Sequence, residues 1–282
     1  MSGAFNPSWT TSQPNNLFLR AKASAREGKR LLSTARYPQA LDHYQQAVKD
    51  FQELGKNDHL ARALNHLGVC RMMAGELDRA IQDLQQARKL ARELEDSELQ
   101  AAAAGNLGLV YTKKSDYTKA VRAHKQVMES AEQQGDLELK LQAQVHLADC
   151  YLQEGRVRQA EGFALVARDL ARSLNNQRQL ITIHGLLGMI SARRRDHRTA
   201  IEHHQQAHNL AECLGDRENQ AQALANQALS HEALTELPRA LEYMARAEQL
   251  FKELDSPLLE KTLQDRQRMR KAHTLSRSDH GE

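Results

Sequence analysis

Two histidines one helical turn apart have the spacing in this chain that most resembles a catalytic motif. His204 and His208 stand at i and i+4, so a helix would present both on one face. A zinc protease with this spacing needs a glutamate directly after the first histidine as its general base, and Gln205 cannot serve as one. The residues 80, 120 and 160 positions before His204 are His124, Leu84 and Tyr44, which are all large. This recurrence indicates a core position, so we expect His204 to be packed in the core rather than bound to a metal.

The three cysteines, Cys70, Cys150 and Cys213, indicate neither a disulfide framework nor a metal site. An odd and sparse set is typical of a reducing compartment. Cys70 and Cys150 share one position of a repeat, two repeats apart, which is farther than the roughly 4.4–6.8 Å that a disulfide allows between Cα atoms. The sequence also has no phosphate-binding loop and no nucleophile elbow. We therefore expect no enzymatic activity, no catalytic residues, no metal and no cofactor.

The composition indicates an all-helical protein. Hydrophobic residues make up 40% of the 282 residues but aromatic residues only 4%, so alanine and leucine, both strong helix formers, must fill the core. No apolar run approaches the roughly 20 residues that cross a bilayer, and the N-terminus lacks the pattern of a secretory signal. The net charge of +3 does not indicate nucleic acid. We expect a cytoplasmic, intracellular protein without membrane insertion, for which nucleic acid is a disfavoured partner.

Small residues recur every 40 positions, which predicts a tandem repeat of helix pairs. The clearest series is Ala40, Ala80, Ala120, Ala160, Ala200 and Ala240. A single pair cannot bury its apolar face, so the pairs must stack into an α-solenoid. Within residues 16–256 we predict six repeats, at about 17–56, 57–96, 97–136, 137–176, 177–216 and 217–256. A flexible arm at 1–15, a capping helix at 257–273 and a flexible tail at 274–282 complete the predicted domains.

The junctions between repeats carry the residues that end one helix and begin the next. Several repeats end in Gly or Asn, which suit the left-handed residue that closes a helix. The residue that follows has a side-chain oxygen able to cap the next helix. These predicted caps are Asp96, Asp136, Asn176, Asp216 and Ser256.

The repeat resembles the tetratricopeptide repeat (TPR) over about residues 17–256. The family's positions are filled in residues 61–94 by Leu67-Gly68, Gly75, Ala80, Leu84 and Ala87, and in residues 101–134 by Leu107-Gly108, Tyr111, Tyr117, Ala120 and His124. The 40-residue length is similar to the repeats of Pins-type spindle-orientation adaptors and, more loosely, of rapsyn. The Gly135-Asp136 junction and the string Gly105-Asn106-Leu107-Gly108 are further points of that similarity.

This resemblance implies a right-handed superhelix of about six TPR helix pairs plus a C-terminal capping helix, with a concave groove lined by the first helix of each pair. The family's groove positions correspond here to Arg62, Asn65, Val69, Met72, Met73, Leu109, Lys113, Gln142, Asp149, Gln153, Met189 and Arg193. Five of these are apolar where solvent exposure is expected, which is a common mark of an interface. Extra packing against a terminal segment is the alternative explanation for them.

The function that follows is a non-enzymatic scaffold or adaptor that binds a peptide or helix of another protein in the groove. One alternative is a peptide-sensing regulatory protein. Another is a structural component that docks on an acidic filament through a basic face, formed by the turn at residues 193–198 and by Arg266, Arg268, Arg270 and Lys271. A solvated cap explains the same charges. Trp9 is a candidate to dock in the groove from the N-terminal arm, and the oligomeric state is not predicted.

Overall fold

A computed structural model of the chain describes residues 12–278, with side chains placed for residues 14–275. This range consists of thirteen α-helices and contains no strand, which confirms the predicted all-α class. The helices are α1 (Ser12–Ser33), α2 (Tyr37–Glu53), α3 (Asn57–Met73), α4 (Leu77–Glu93), α5 (Ser97–Lys113), α6 (Tyr117–Gln134), α7 (Leu137–Gln153), α8 (Val157–Ser173), α9 (Gln177–Arg193), α10 (His197–Leu214), α11 (Arg217–Ala233), α12 (Leu237–Glu253) and α13 (Leu259–Ser278).

The helices form six consecutive pairs, α1–α2 to α11–α12, followed by the single helix α13, as the α-solenoid prediction requires. Helix α1 begins within the predicted arm, and α13 continues past residue 273 into the predicted tail. Residues 1–11, including Trp9, lie outside the described residues. The exact repeat boundaries stay a prediction.

The chain divides into two compact units. Unit 1 ends at Ala143 and contains α1 to α6 and the first part of α7, while unit 2 begins at Gln144 and contains the rest of α7 and α8 to α13. In each unit the repeated alanines are fully buried, because alanine is the residue that lets paired helix axes approach closely. Alanine at these crossings explains how a core with few aromatic rings is filled.

The helix starts follow the predicted capping pattern. Asp96, Asp136, Asn176 and Asp216 each accept a hydrogen bond from the backbone N–H three residues ahead, at 2.9–3.2 Å. Ser256 Oγ accepts a longer one, 3.4 Å, from the N–H of Leu258. These bonds satisfy backbone donors that a helix start leaves free, so the four Asp and Asn residues fix where α5, α7, α9 and α11 begin.

The helix ends share one turn in which a single residue takes a left-handed conformation. Glycine fills this position at Gly135, where φ is 68°, and arginine fills it at Arg195, where φ is 63°. Both turns close with the same backbone hydrogen bonds: Gly135 N–H to the Glu132 carbonyl, and Arg195 N–H to the Ala192 carbonyl. The backbone pattern of the turn is therefore the same with and without glycine.

Candidate protein-binding faces of the first helices

The first helices of unit 1 leave an apolar strip partly exposed between them. Val69 on α3 and Leu109 on α5 occupy the same repeat position, and both are half-buried against the core cluster that includes Leu84 and Leu107. Met73, one turn beyond Val69, is 42% exposed, and Lys113, one turn beyond Leu109, is exposed. We call Val69, Met73, Asn106, Leu109 and Lys113 the unit 1 face.

Two other predicted groove residues of unit 1 hold α3 and α5 together. Asn65 is buried, and its Oδ1 accepts a 3.0 Å hydrogen bond from Nδ2 of Asn106. Arg62 Nη2 lies 2.6 Å from Oδ2 of Asp96, whose other oxygen caps α5. Arg62 and Asn65 therefore position the unit 1 face. Of the two hydrogen-bonded asparagines, Asn106 is the one that is partly exposed on that face.

Met72 does not belong to the face, in contrast to the sequence prediction. Its side chain is 7% exposed and packs in the core with Ala80, Leu84 and Val110. Adjacent helical residues point about 100° apart, so one of two neighbouring side chains can turn into the core while the other stays exposed. The side chain of Met73 points outward, and the side chain of Met72 points into the core.

The predicted residues of α7 and unit 2 form a more polar set. Gln142 is exposed on the part of α7 that belongs to unit 1. In unit 2, Asp149 accepts a 3.2 Å hydrogen bond from Nε2 of the exposed Gln153, one turn further along α7. Met189 is half-buried on α9, and Arg193 is exposed at its end. Met189 is thus the one apolar member of this set.

A polar cleft in unit 1 was not found by sequence reasoning. It has a volume of about 730 Å³ and lies between the second helices α4 and α6, above the N-terminal half of α5. Arg88 on α4 crosses it to donate a 3.2 Å hydrogen bond to Oε1 of Gln126 on α6. The lining side chains are mainly amides and cations, with Glu129 as the one carboxylate among them. The sequence feature that could have indicated the cleft is the basic stripe Arg88, Lys89 and Arg92 on α4. The 40-residue period does not distinguish such a stripe from an ordinary solvated surface.

The basic residues of the closing helix are largely occupied within unit 2. Arg266 lies 2.6 Å from Glu248 on α12, and Arg268 contacts both carboxylate oxygens of Glu232 on α11, at 3.1 and 2.8 Å. Met269, on the same helix, is fully buried. These contacts support the interpretation of α13 as a cap, while Arg270 and Lys271 are exposed on the same helix.

We expect the double substitution Arg266→Ala/Arg268→Ala to loosen α13. Loss of the two ion pairs should lower the free energy of local opening by about 1 kcal/mol, because each is partly exposed and screened. Hydrogen exchange followed by mass spectrometry should show faster amide exchange across α13. Arg270→Ala/Lys271→Ala is the matched control, and equal exchange in the two double variants would contradict the docking role.

The candidate chemistry around His204 is that of a packed core residue. Its side chain is 1% exposed, and burial, with a contribution from His203, lowers its pKa to about 4. His208 is also buried. Within residues 12–278, no group of three His, Cys, Asp or Glu side chains is arranged to hold a metal ion. No helix in that range has the length and apolar character needed to cross a bilayer.

Tandem helix pairs of this kind define an α-helical repeat protein. Residues 31–93 and 99–173 match the family model described as Tetratricopeptide repeat, so these two stretches belong to the tetratricopeptide repeat family. No curated protein sequence matches the chain significantly. The narrower resemblance to Pins-type adaptors and rapsyn stays a prediction.

Several solved structures share the fold. BtubC (BKLC) from P. vanneervenii is 18% identical, with 86% of this chain and 93% of that chain covered and a TM-score of 0.62. Aspartyl phosphate phosphatase F from Bacillus subtilis is 15% identical, with 83% and 60% covered and a TM-score of 0.66. A Rap protein complexed with Competence and Sporulation Factor is 14% identical, with 90% and 76% covered and a TM-score of 0.65. Such identities show the fold alone, and since one of these proteins is named a phosphatase, the expected lack of enzymatic activity stays a prediction.

Proposed function

We propose that this protein is a scaffold or adaptor that binds a segment of another protein through the unit 1 face. The observation that carries the proposal is the pair Val69 and Leu109, whose apolar side chains are only half-buried on neighbouring helices beside the exposed Met73. Exposed apolar surface that is flanked by polar groups is typical of protein interfaces. Methionine adapts to irregular partner surfaces because its unbranched side chain has three rotatable bonds.

The polar members of the face supply direction and specificity. Asn106 offers amide and carbonyl groups that can hydrogen-bond to the backbone of a bound segment. Lys113 attracts a carboxylate of the partner at the end of the face. A segment with apolar residues next to an acidic one would satisfy both parts of the surface, so we expect that chemistry in the partner.

The peptide-sensing regulator is the second candidate. It is favoured by the fold match to a Rap protein complexed with Competence and Sporulation Factor, which is a solenoid of similar fold holding a ligand. The acidic-filament alternative loses part of its support because Arg266 and Arg268, two residues of its basic face, contact carboxylates of the same unit. We therefore do not propose it.

The face is tested with Met73→Glu/Lys113→Glu, which places negative charge in the apolar strip and removes the cation. We expect unchanged helicity and an approximately tenfold or greater loss of partner capture, because burying an unpaired carboxylate at an interface is strongly unfavourable. Quantitative mass spectrometry of proteins captured from a cell extract measures it.

Leu94→Glu is the matched control, because Leu94 is 41% exposed, close to the 42% of Met73, and lies outside the face. Captured proteins that are lost with the double variant and retained with the control support the proposal. An identical set of captured proteins from the wild type and both variants would reject the unit 1 face.

A further inference from the structure

One helix of unit 2 carries an apolar stripe with opposite charges at its two ends. On α8, Arg158, Gly162, Leu165, Val166 and Asp169 are all exposed. Their spacing of i, i+4, i+7, i+8 and i+11 places them along one side of the helix. Val166 is 55% exposed and Leu165 is 37% exposed. We call these five residues the α8 stripe.

The repeat itself does not require this stripe. In the other five second helices, the positions of Gly162, Leu165 and Val166 are polar or charged apart from one alanine. They read Asp42, Gln45 and Gln46; Gln82, Gln85 and Gln86; Arg122, Lys125 and Gln126; Glu202, Gln205 and Gln206; and Glu242, Ala245 and Arg246. Since five helices fold with polar residues at these positions, the apolar set on α8 is not needed to pack a repeat.

Gly162 is also not explained by packing within the chain. A Cβ atom built on it would meet nothing within 4 Å, although glycine inside a helix costs about 1 kcal/mol relative to alanine. Glycine next to exposed apolar residues allows a second helix axis to approach closely. The missing side chain therefore fits an approach from outside the chain.

The charges at the ends of the stripe are reversed with respect to the helix dipole. Arg158 lies in the first turn of α8, where an acidic residue is favoured, and Asp169 lies toward its C-terminal end, where a basic residue is favoured. Asp169 contacts its sequence neighbour Arg168 at 3.0 Å, but it is 66% exposed, so exchanging that partner costs little. Both charges are available to a group outside the chain.

We propose that the α8 stripe is a self-association surface on which two copies of this chain pair their α8 helices antiparallel about a two-fold axis. Arg158 and Asp169 are separated by about 16 Å along the helix. In an antiparallel pair, Arg158 then meets Asp169 of the partner subunit at each end. Gly162 faces Leu165 of the partner subunit near the axis. The same patch serves on both copies, as a two-fold interface requires.

The size of the stripe sets the strength of the dimer. A single helix face buries only a few hundred Å² on each copy, whereas stable interfaces bury about 1,200–2,000 Å² in total. The dimer is therefore weak, and its population rises with concentration in the micromolar range or above. This surface is separate from the unit 1 face, so the proposal does not depend on the proposed function.

Sedimentation velocity over a concentration series tests the proposal on the full chain. The wild type should shift from monomer to dimer as its concentration rises. Leu165→Gln/Val166→Gln introduces the pair that α10 carries at Gln205 and Gln206, so the fold is retained, and the dissociation constant should rise about tenfold or more. Leu263→Gln removes an exposed leucine from α13 and is the matched control, with no effect expected.

A charge exchange tests the antiparallel register. Arg158→Asp should weaken the dimer because two carboxylates then meet at each end, and Arg158→Asp/Asp169→Arg should restore it. A wild type that stays monomeric at every concentration would overturn the proposal. So would a dimer that tolerates Leu165→Gln/Val166→Gln, or one that the charge exchange fails to restore.

Discussion

Lowering the pH from 7.5 to 5 should destabilise the helices around His204 by about 2 kcal/mol through His204 alone, because this buried histidine resists protonation in the folded state. Burial lowers its pKa to about 4, and the charge of nearby His203 acts in the same direction. The pKa of His184 is also lowered to about 4, first by burial and then by His203, Arg172 and Arg168. His184 and His203 face each other, with their Nδ1 atoms 3.3 Å apart.

The sign follows from which state takes up the proton. An unfolded histidine titrates near 6.5, whereas His204 and His184 stay neutral in the folded state until the pH approaches 4. Between these values the unfolded chain binds more protons, so stability falls as the pH falls. The contribution is fully present above about pH 6.5 and is lost progressively toward pH 4.

Thermal unfolding followed by circular dichroism at a series of pH values measures the effect. His204→Leu should flatten the dependence between pH 7.5 and 5, because it removes one of the two buried titrating groups. Leucine is a suitable replacement, since Leu84 fills the same repeat position in unit 1 and is fully buried. A variant whose melting temperature falls with pH as steeply as that of the wild type would show that His204 is not responsible.

Two glycines on α5 should respond in opposite ways to the same substitution. A methyl group at Gly108 would lie 2.5 Å from the Cε1 and Nε2 atoms of His124, which is buried and has little room to move. We expect Gly108→Ala to lower the free energy of unfolding by about 1–3 kcal/mol through overpacking. At Gly105 the nearest atom, Cγ2 of Val127, is 3.8 Å away, which is ordinary contact.

Gly105→Ala is therefore the matched control, and it should raise the free energy of unfolding by up to about 1 kcal/mol because alanine favours the helix. Urea denaturation of the two variants and the wild type measures both values. If the two substitutions shift the urea midpoint of unfolding in the same direction, the close contact with His124 is not the reason that position 108 requires glycine.

The sequence predicted features that depend on position within a repeat. The 40-residue period identifies which alanines are buried and which aspartates, such as Asp96, cap a helix, because both properties are set by residues close by in the chain. The same reasoning placed His204 in the core, and its burial confirms this.

Contacts between residues far apart in the chain could not be predicted in this way. Arg268 was considered for a basic surface, but it contacts Glu232, which is 36 residues earlier. Met72 was assigned to the groove because the family pattern gives a helical position and not the direction in which each of two adjacent side chains is packed. The cleft beside Arg88 could not be predicted for the same reason, because it forms only where α4 and α6 both pack on α5.

The shared turn at the helix ends has a consequence for how this chain can vary. Arg195 adopts the left-handed conformation with the same backbone hydrogen bonds as Gly135, although a side chain there costs roughly 1–2 kcal/mol. The helix register is therefore maintained by the main chain, and the side chain at the turn is free to differ from repeat to repeat. The left-handed position of the turn holds arginine, serine, glutamate or asparagine at different helix ends of this chain. The turns are the positions where new surface chemistry can arise at the least cost to the fold.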